Sequence, residues 1–545
     1  MAKKKVKKAK AAANTPVVAP IQAAGAPPAY FPYLITGIFF ALSFIGILNH
    51  EMWRDEYQAW MVAADAHSIP QLFQNLKYEG NPVLWHAFLF LISAVTDQPF
   101  AMQVFHILIS TGFIFLINRH APFSILQKIL LTFGYYTFFE YNIISRSYCL
   151  GFLLVVLFCV LYPQRQKHLL WMAGILFLLS NCTIFGVILT VSFAFVILLE
   201  QLTLRNTKSA SRIPMAQVIG FGAIVFLGAL LGYLQIKPEP NNSFTTLYMT
   251  SYDPARFQWS IGRFLEAYIP IPDFANPHFW NTNLFTSPKG PYRIAFTPFL
   301  FLLGILSFMR HRLVLALYIV GSLILVVFFY YTGFIWNRYS GHLFLLLVAC
   351  QWMVYMDPEK SFSNSWMEKV SRWGRKIRVP YFIFILACNV IGGVGAYILD
   401  LGQPFSTSQK AAAYLREHQL TDDLIVGTRD YTISPLASQL GKPIYYADRH
   451  EKGTFIIYDE KRQPIYAVKE VVPIFTSFYK QGHKRMIYVK DVPIKMTFDD
   501  TGESVLWENA MLTDSLNLRL LTTIPPGIVA DETYYIYTVE EMFMQ

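Results

Sequence analysis

Charged residues are scarce in this chain. They make up 15% of its 545 residues, whereas an ordinary soluble protein has roughly 25%. Hydrophobic residues reach 54%, and the mean hydropathy is +0.36. This composition excludes an ordinary soluble enzyme. The apolar residues run in long blocks up to about residue 400, and residues 401–545 then mix charge, proline and β-branched residues. We therefore predict a polytopic α-helical membrane protein with a C-terminal soluble α/β domain.

Cysteine is also rare, with five residues in the chain, each inside an apolar run and without a CxxC spacing. A disulfide framework or a zinc site is not expected from this pattern. The sequence also lacks a Walker A loop, a GxSxG elbow, an HExxH pair and an EF-hand loop. Because the predicted cytoplasmic loops are short, we expect no nucleotide at a cytoplasmic site. The energy of any reaction must then come from a substrate that is already activated.

The net charge of +10 is distributed in short clusters between the apolar runs. No basic face with interleaved aromatic residues is visible, which argues against a nucleic-acid partner. In membrane proteins such clusters mark the cytoplasmic side. They are the N-terminal tail and residues 119–120, 165–168, 205–212, 310–312 and 360–378.

These clusters decide which of about twelve apolar runs cross the membrane. If residues 82–96 form a helix on the outer surface, every cluster falls on the cytoplasmic side. The same rule splits residues 169–200 into two helices around Asn181. We predict about eleven spans over residues 31–400, with the N-terminus inside and the C-terminal domain outside. Residues 1–30 are expected to be a disordered basic cytoplasmic tail, and residues 50–99 and 237–293 to be outer loops.

Residues 401–545 alternate helical and extended patterns, which is typical of a small α/β sheet domain. Helices are predicted at 406–418, 434–440 and 468–480. Strands are predicted at 424–427, 444–446, 485–490, 518–522 and 534–539. Two roles stay open for this domain: it covers the outer face, or it selects and orients an acceptor.

Ionisable side chains are nearly absent from the middle of the predicted spans, where only His106 and Lys128 stand out. Pumps and ion-coupled transporters keep such groups in their spans. The predicted outer ends of the spans differ, because they carry acids and bases from loops that are far apart in sequence. The candidate site residues are Arg54, Asp55, Glu56, Glu79, His86, Arg146, Asp273, His278, Arg338 and His342. Taken singly, an Asp-Glu pair after a span is more often a hydrated helix end than a catalytic site, and Arg146 and Arg338 are each as compatible with an interfacial anchor as with a site.

Four short motifs follow one another at matching places in the predicted topology. They are WRDEYQAW from Trp53, EGNPVLW from Glu79, SRSYCLG from Ser145 and NRYSGH from Asn337. Their order resembles the GT-C superfamily of polyprenyl-phosphate-dependent glycosyltransferases, which includes protein O-mannosyltransferases and lipid A aminoarabinose transferases. It is most similar to a bacterial multi-pass group with the patterns DEAQAW, EGHPPLW, ARNYALG and RHxGH. The likeness covers most of residues 31–400.

The resemblance implies a glycosyltransferase in a bacterial inner membrane, with its C-terminal domain on the periplasmic side. It would move a sugar from a polyprenyl-phosphate donor to a glycan, lipid or protein acceptor, with membrane lipids around it. Asp55 would be the general base, and Glu56 would orient it or a bound cation. Arg338 and Arg146 would hold the donor phosphate. The remaining candidates would line the substrate pocket: Arg54, Glu79, His86, His342, Asp273 and His278.

The family pattern leaves a divalent cation (Mg²⁺ or Mn²⁺) open, because some GT-C enzymes use a metal and others do not. A single inverting displacement is expected, because no second carboxylate stands out as a nucleophile. A double displacement stays open if folding brings Asp273 or Glu140 close to the site. Two rival interpretations remain at this point. One is a transporter or flippase for lipid-linked sugars or polysaccharides without transferase activity, and the other is a non-catalytic scaffold that retains the fold.

Overall fold

The computed structural model describes residues 27–206, 212–243, 251–285, 292–333, 336–465, 467–497, 504–506 and 508–541. Most of the predicted N-terminal tail therefore lies outside the described residues. So do parts of the predicted outer loop at 237–293, namely 244–250 and 286–291.

The helical part of the described chain comprises fifteen α-helices, joined in places by short 3₁₀ or π-helical turns. They are α1 (Phe31–Asn49), α2 (Arg54–Ala64), α3 (Ile69–Asn75), α4 (Leu84–Ser93), α5 (Phe100–His120), α6 (Ile125–Thr132), α7 (Tyr148–Leu161), α8 (Arg165–Ser180), α9 (Ile184–Asn206), α10 (Met215–Ile236), α11 (Pro254–Tyr268), α12 (Tyr292–Phe308), α13 (Arg312–Thr332), α14 (Asn337–Met353) and α15 (Ser365–Gly402).

Among the described residues, seven helical runs are long and apolar enough to cross a membrane. They are Phe31–Asn49, Phe100–His120, Tyr148–Ser180, Ile184–Asn206, Met215–Ile236, Arg312–Thr332 and Ser365–Gly402. Along α10 the outward side chains are large and apolar, with Phe226 68% and Ile219 63% exposed. A surface of this kind suits lipid and not water. The chain is thus a multi-pass membrane protein, and these runs do not confirm the predicted count of eleven spans.

The helices that bear on the predicted topology agree with it in two places. The segment predicted to lie on the outer surface is α4, whose ten residues are too few to cross a bilayer. The predicted division around Asn181 is present, because α8 ends at Ser180 and α9 begins at Ile184.

Two glycines within the spans lie where another part of the chain approaches closely. A Cβ on Gly228 of α10 would come within 2.7 Å of the Phe177 Cα of α8, and one on Gly393 of α15 within 2.8 Å of the Gly134 backbone. Only glycine allows these contacts.

The C-terminal domain forms a mixed sheet with helices on both faces, as the sequence predicts. Its elements are α16 (Ser408–Glu417), β1 (Leu424–Gly427), α17 (Asp430–Leu440), β2 (Ile444–Tyr446), β3 (Glu451–Gly453), α18 (Val468–Lys480), β4 (Arg485–Lys490), β5 (Lys495–Thr497), β6 (Ser504–Leu506), β7 (Asn509–Thr513), β8 (Leu516–Ile524) and β9 (Tyr534–Glu541). The main sheet has the order β3-β2-β1-β4-β9-β8-β7, and β5 pairs with β6.

Alternation along the strands divides this domain's core into two layers. Ile425 and Ile487 face α16 and α17, where Leu436 is buried. Their neighbours Val426 and Tyr488 point to the other face, towards α18. Strands β1, β2 and β4 run parallel, and β4 pairs antiparallel with β9. The period of two along each strand therefore builds both faces of the sheet.

Candidate functional site

A cavity of about 1150 Å³ lies between one end of the helical bundle and the C-terminal domain. The ends of α10 and α13 line the cavity, together with the starts of α2, α7, α9 and α14. We call this level of the molecule the cavity end. Loops of the C-terminal domain complete the wall with Tyr431, Tyr458, Arg462 and residues 528–531.

Asp55 lies in the first turn of α2 at the centre of this wall. Its Oδ2 is 2.5 Å from Arg146 Nη1 and 3.3 Å from Arg338 Nη2. Arg146 stands just before α7, and Arg338 is in the first turn of α14. Sequence-distant loops thus bring together the acid and the two bases that the sequence indicated.

The electrostatics keep the carboxyl group of Asp55 ionised. Burial alone would raise its pKa, but the charges of Arg146, Arg338 and Arg54 outweigh burial and lower the pKa below its ordinary value. Asp55 is therefore a carboxylate that accepts hydrogen bonds and donates none.

Positive charge is in excess around Asp55. Arg54 is compensated by the C-terminal domain, because its Nη1 lies 2.7 Å from Asp531 Oδ2. Arg146 and Arg338 then share the single carboxylate of Asp55. In direct ion pairs, these two guanidinium groups therefore have one carboxylate between them, an arrangement that favours an anionic ligand.

Several N–H donors beside the cavity have no hydrogen-bond partner among the described residues. They are Nε1 of Trp53, Nε1 of Trp85 and Nε of Arg338, and all three atoms are buried. Aromatic rings hold the Arg338 guanidinium in place, with the Trp53 ring 5.1 Å and the Trp280 ring 5.7 Å away. Unpaired buried donors are costly, and these three show that the described residues leave part of this wall's hydrogen-bonding capacity unsatisfied.

Glu79 and His86, both predicted for the pocket, also line the cavity. Burial raises the pKa of Glu79 to about 7, partly opposed by a hydrogen bond from Gln58. Burial and the charge of Arg146 lower the pKa of His86 to about 3, so its imidazole is neutral. This side of the cavity is therefore close to uncharged below pH 7.

Gln58 fixes the C-terminal domain over this region. Its side-chain amide donates to the Ile456 carbonyl and accepts from the Ile456 N–H, both at 2.8 Å. The carbonyl of Tyr458 accepts from Ser243 N at 2.9 Å. Tyr458 is consequently held at the cavity from two sides of the helical part.

Four predicted site residues do not line the cavity, and this corrects the predicted set. Glu56 is buried behind it, with its oxygens taken by Trp53 N, Ser145 N and the ring of His50. Neighbouring residues of a helix point in different directions, so Asp55 and Glu56 cannot face the same ligand. Glu56 neither contacts Asp55 through its side chain nor stands free to hold a cation.

His342 lies one turn deeper in α14 than Arg338. Its ring stacks on Phe185, with centroids 4.3 Å apart, and Nδ1 is 3.0 Å from the Tyr339 carbonyl. Phe185 itself forms the wall, so His342 supports it from behind.

The two predicted residues of the loop after α11 serve local structure. Asp273 accepts a hydrogen bond from Ala275 N at 3.2 Å. His278 Nδ1 is 2.8 Å from the Gly527 carbonyl and joins this loop to the C-terminal domain.

Sequence reasoning missed the contribution of the C-terminal domain to the wall. Arg462 is held by Asp430 through two hydrogen bonds of 2.7 Å, and Arg54 lies over the Tyr431 ring at 5.1 Å. The hydrophobic periodicity of the strands and helices in this domain indicates only which residues pack in the domain's own core. It gives no signal for loop residues that face another part of the molecule.

The described residues do not form a metal centre. They contain no group of three or more His, Cys, Asp or Glu side chains placed to hold a metal ion. Asp55 is already paired with two guanidinium groups, so its surroundings fit an anion better than a cation.

The chain was compared with protein-family models, with curated proteins and with solved structures. It matches no family model, no curated protein and no solved structure. The residues of the cavity are thus the ground for assigning a function.

Proposed function

We propose that this protein is a membrane glycosyltransferase of the GT-C type. It transfers a sugar from a polyprenyl-phosphate donor to an acceptor hydroxyl at the cavity end. The observation that carries the proposal is the pair Arg146 and Arg338 around the single carboxylate of Asp55, at the level where the apolar helices end.

The donor phosphate binds the two guanidinium groups. A guanidinium presents paired N–H donors that match phosphate oxygens, and the excess positive charge balances the phosphate. The negative charge on the phosphate grows as the bond to the sugar breaks, and the same contacts then become stronger. Apolar wall residues such as Ile184, Phe185 and Phe328 give the prenyl chain an apolar path beside the phosphate.

Asp55 acts as the general base. Phosphate binding draws Arg146 and Arg338 away from the carboxylate, so the pKa of Asp55 rises from its lowered value towards the ordinary one. The carboxylate then accepts the proton of the acceptor hydroxyl while that oxygen attacks the anomeric carbon. The leaving phosphate departs with the bonding electrons in one inverting displacement.

The acceptor enters on the side of the C-terminal domain. There Tyr458, Tyr431 and Glu79 present hydroxyl, aromatic and weakly acidic groups, which suit a sugar or another hydroxyl-bearing acceptor. The domain therefore selects and orients the acceptor in this proposal.

We propose further that the chain has about eleven spans, with the N-terminus inside and the cavity end on the periplasmic side of a bacterial inner membrane. Two observations support more than seven crossings: α7 packs along α8, and the shorter α12 and α14 pack in the bundle. The basic residues Arg165 and Arg310 belong to the end opposite the cavity, as the positive-inside rule requires.

The deciding experiment starts from a strain that lacks the gene. Its envelope glycans and glycolipids are analysed for the loss of one sugar. The purified protein in liposomes is then given radiolabelled sugar on undecaprenyl phosphate with the under-glycosylated material as acceptor. We expect label on the acceptor, and a strain with an unchanged envelope together with no transfer in liposomes contradicts the proposal.

The same liposomes separate this function from a transporter of lipid-linked sugars. A transporter moves labelled lipid to the other leaflet without passing the sugar on. Sugar transfer to the acceptor, with no movement of the labelled lipid between leaflets when the acceptor is absent, supports the enzyme. Movement of the lipid between leaflets without sugar transfer supports the transporter.

A further inference from the structure

His50 lies directly behind the cavity, between two buried carboxylates. It follows the last residue of α1, and its ring is enclosed by protein. Nδ1 is 2.9 Å from Asp400 Oδ2 near the end of α15, and Nε2 is 3.2 Å from Glu56 Oε2 in the first turn of α2. Phe405 covers the ring, with centroids 4.6 Å apart.

This arrangement defines the protonation state of His50. An ionised carboxylate only accepts hydrogen bonds, and a neutral imidazole has one N–H. With both carboxyl groups ionised, both contacts are hydrogen bonds only if both ring nitrogens carry protons. Burial alone would lower the pKa of His50, but the charges of Asp400 and Glu56 outweigh burial and raise it to about 10. The other titratable groups near the ring are Glu51, next in the chain, and His106 on α5.

Glu56 connects His50 to the backbone segments that carry Asp55 and Arg146. Its Oε1 accepts from Ser145 N at 2.7 Å, and its Oε2 accepts from Trp53 N at 3.1 Å. Ser145 directly precedes Arg146, and Glu56 directly follows Asp55. The buried carboxylate therefore joins the two backbone segments that carry the Asp55–Arg146 ion pair.

His106 holds the same segment from the opposite side. Its Nδ1 is 3.0 Å from the Asn142 carbonyl, and its Nε2 is 3.2 Å from Arg146 N and 3.1 Å from the Arg146 carbonyl. The Arg146 backbone is thus fixed between His106 and the Glu56 carboxylate. Its side chain is then directed at Asp55.

We propose that His50 is a positioning residue, a buried imidazolium that joins Asp400 to Glu56 and so sets the geometry of the Asp55–Arg146 pair. The hydrogen-bonded chain is independent of the ligand, and only the choice of phosphate as a probe rests on the proposed function. Because Asp400 stands where α15 leads into the C-terminal domain, the same chain ties the attachment of that domain to the site.

The first test observes the proton itself. Protein labelled with ¹⁵N-histidine is reconstituted in liposomes and studied by solid-state NMR at pH 8.5. Histidines with an ordinary pKa near 6.5 are then about 99% neutral. We expect an imidazolium signal that disappears in His50→Gln and persists in His120→Gln, a matched change at the last residue of α5. The absence of an imidazolium signal from the wild type overturns the proposal.

The second test observes the positioning. Binding of undecaprenyl phosphate in detergent is followed by the tryptophan fluorescence of the cavity. We expect about tenfold weaker binding in His50→Gln and unchanged binding in His120→Gln. If His50→Gln does not fold, Asp400→Asn replaces it, and its imidazolium signal is expected to be lost at a lower pH than in the wild type. Unchanged binding in His50→Gln, or an unchanged titration in Asp400→Asn, contradicts the positioning role.

The outcomes of the two tests distinguish a failure of the positioning role from a failure of the proposed function. If the wild type does not bind undecaprenyl phosphate, the proposed donor is wrong while the NMR signal still decides the state of His50. If the phosphate binds but no imidazolium is present, the donor site stands and the positioning role falls.

Discussion

Two arginines at each end of the helical bundle are paired differently. At the end opposite the cavity, Arg165 is matched by one carboxylate, with Nε 2.8 Å and Nη2 2.6 Å from the oxygens of Glu200. Arg310 there lies 3.2 Å from Glu359 and 2.9 Å from Glu368. At the cavity end, Arg146 and Arg338 share Asp55, and the Arg338 Nε has no partner among the described residues.

This difference separates structural from ligand-binding charge. Arginines that are fully paired within the protein hold loops together and mark the side of the membrane. Arginines that share one acid retain hydrogen-bonding capacity for something else. Composition alone counts all four residues alike, so it cannot distinguish the two uses.

The strongest way to break the comparison is to remove the shared acid. We expect Asp55→Asn to lower sugar transfer by about 10²- to 10⁴-fold, the usual contribution of a general base. Binding of undecaprenyl phosphate should become tighter, because the carboxylate no longer competes for Arg146 and Arg338. Transfer rate and binding are measured separately on the reconstituted protein. Asp273→Asn is the control, since that residue lies outside the cavity. Equal losses in both variants contradict the assignment.

Removing an arginine should affect ligand binding at the cavity end and stability at the opposite end. Arg338→Ala should weaken undecaprenyl-phosphate binding about 100-fold, since the loss of one partner of a buried charge pair costs about 3 kcal/mol. Arg310→Ala at the opposite end should leave binding unchanged and lower the melting temperature. Arg338→Lys keeps the charge but loses the paired donors, so an intermediate affinity is expected. If Arg338→Ala and Arg310→Ala bind undecaprenyl phosphate with similar affinity, the arginines at the two ends do not differ in ligand binding.

The paired arginines can be tested through stability alone. Arg165→Ala leaves Glu200 uncompensated in a largely enclosed position, and we expect a loss of about 2 kcal/mol in unfolding free energy. Adding Glu200→Gln should recover part of it. Thermal unfolding in one detergent, read for both single variants and the double variant, gives the coupling. A double variant no more stable than Arg165→Ala argues against a specific pair.

The smallest expected effect concerns Glu79. Its pKa is raised from 4.5 to about 7, so the folded protein binds this proton more tightly than the unfolded chain. Its contribution to stability is therefore present below about pH 4.5 and decreases as the pH rises towards 7. In Glu79→Gln this part of the pH dependence of stability should disappear. The part that comes from Glu532, whose pKa burial likewise raises to about 7, should remain. Melting temperatures from pH 5 to 8 measure the difference, with the exposed Glu417→Gln as control. An unchanged pH dependence would show that the partly buried position of Glu79 does not raise its pKa.

Much of the fold could be predicted from the sequence because its signals are local. Apolar runs long enough to cross a bilayer and strands with a period of two are visible in a window of a few residues. The strand predicted at residues 424–427 is β1, and the helix predicted at residues 468–480 is α18, with the same bounds.

The candidate site was predictable only in part. Charge placement identified Asp55, Arg146 and Arg338, because polar groups at the ends of apolar helices stand out. It also suggested Glu56 and His342, which differ from the true cavity residues only in the direction of their side chains. The packing of Phe185 over His342 and the hydrogen bonds from Ser145 and Trp53 to Glu56 decided those directions.

By itself, the sequence determined that this is a membrane protein with a C-terminal α/β domain and that its informative charges stand at one level of the bundle. Tertiary structure alone decided which charges meet. Asp55 and Arg338 are 283 residues apart, and no local period relates them. The physical reason is that hydrophobicity acts on each segment separately, whereas an ion pair or a buried hydrogen bond exists only when two particular groups are brought within about 3 Å.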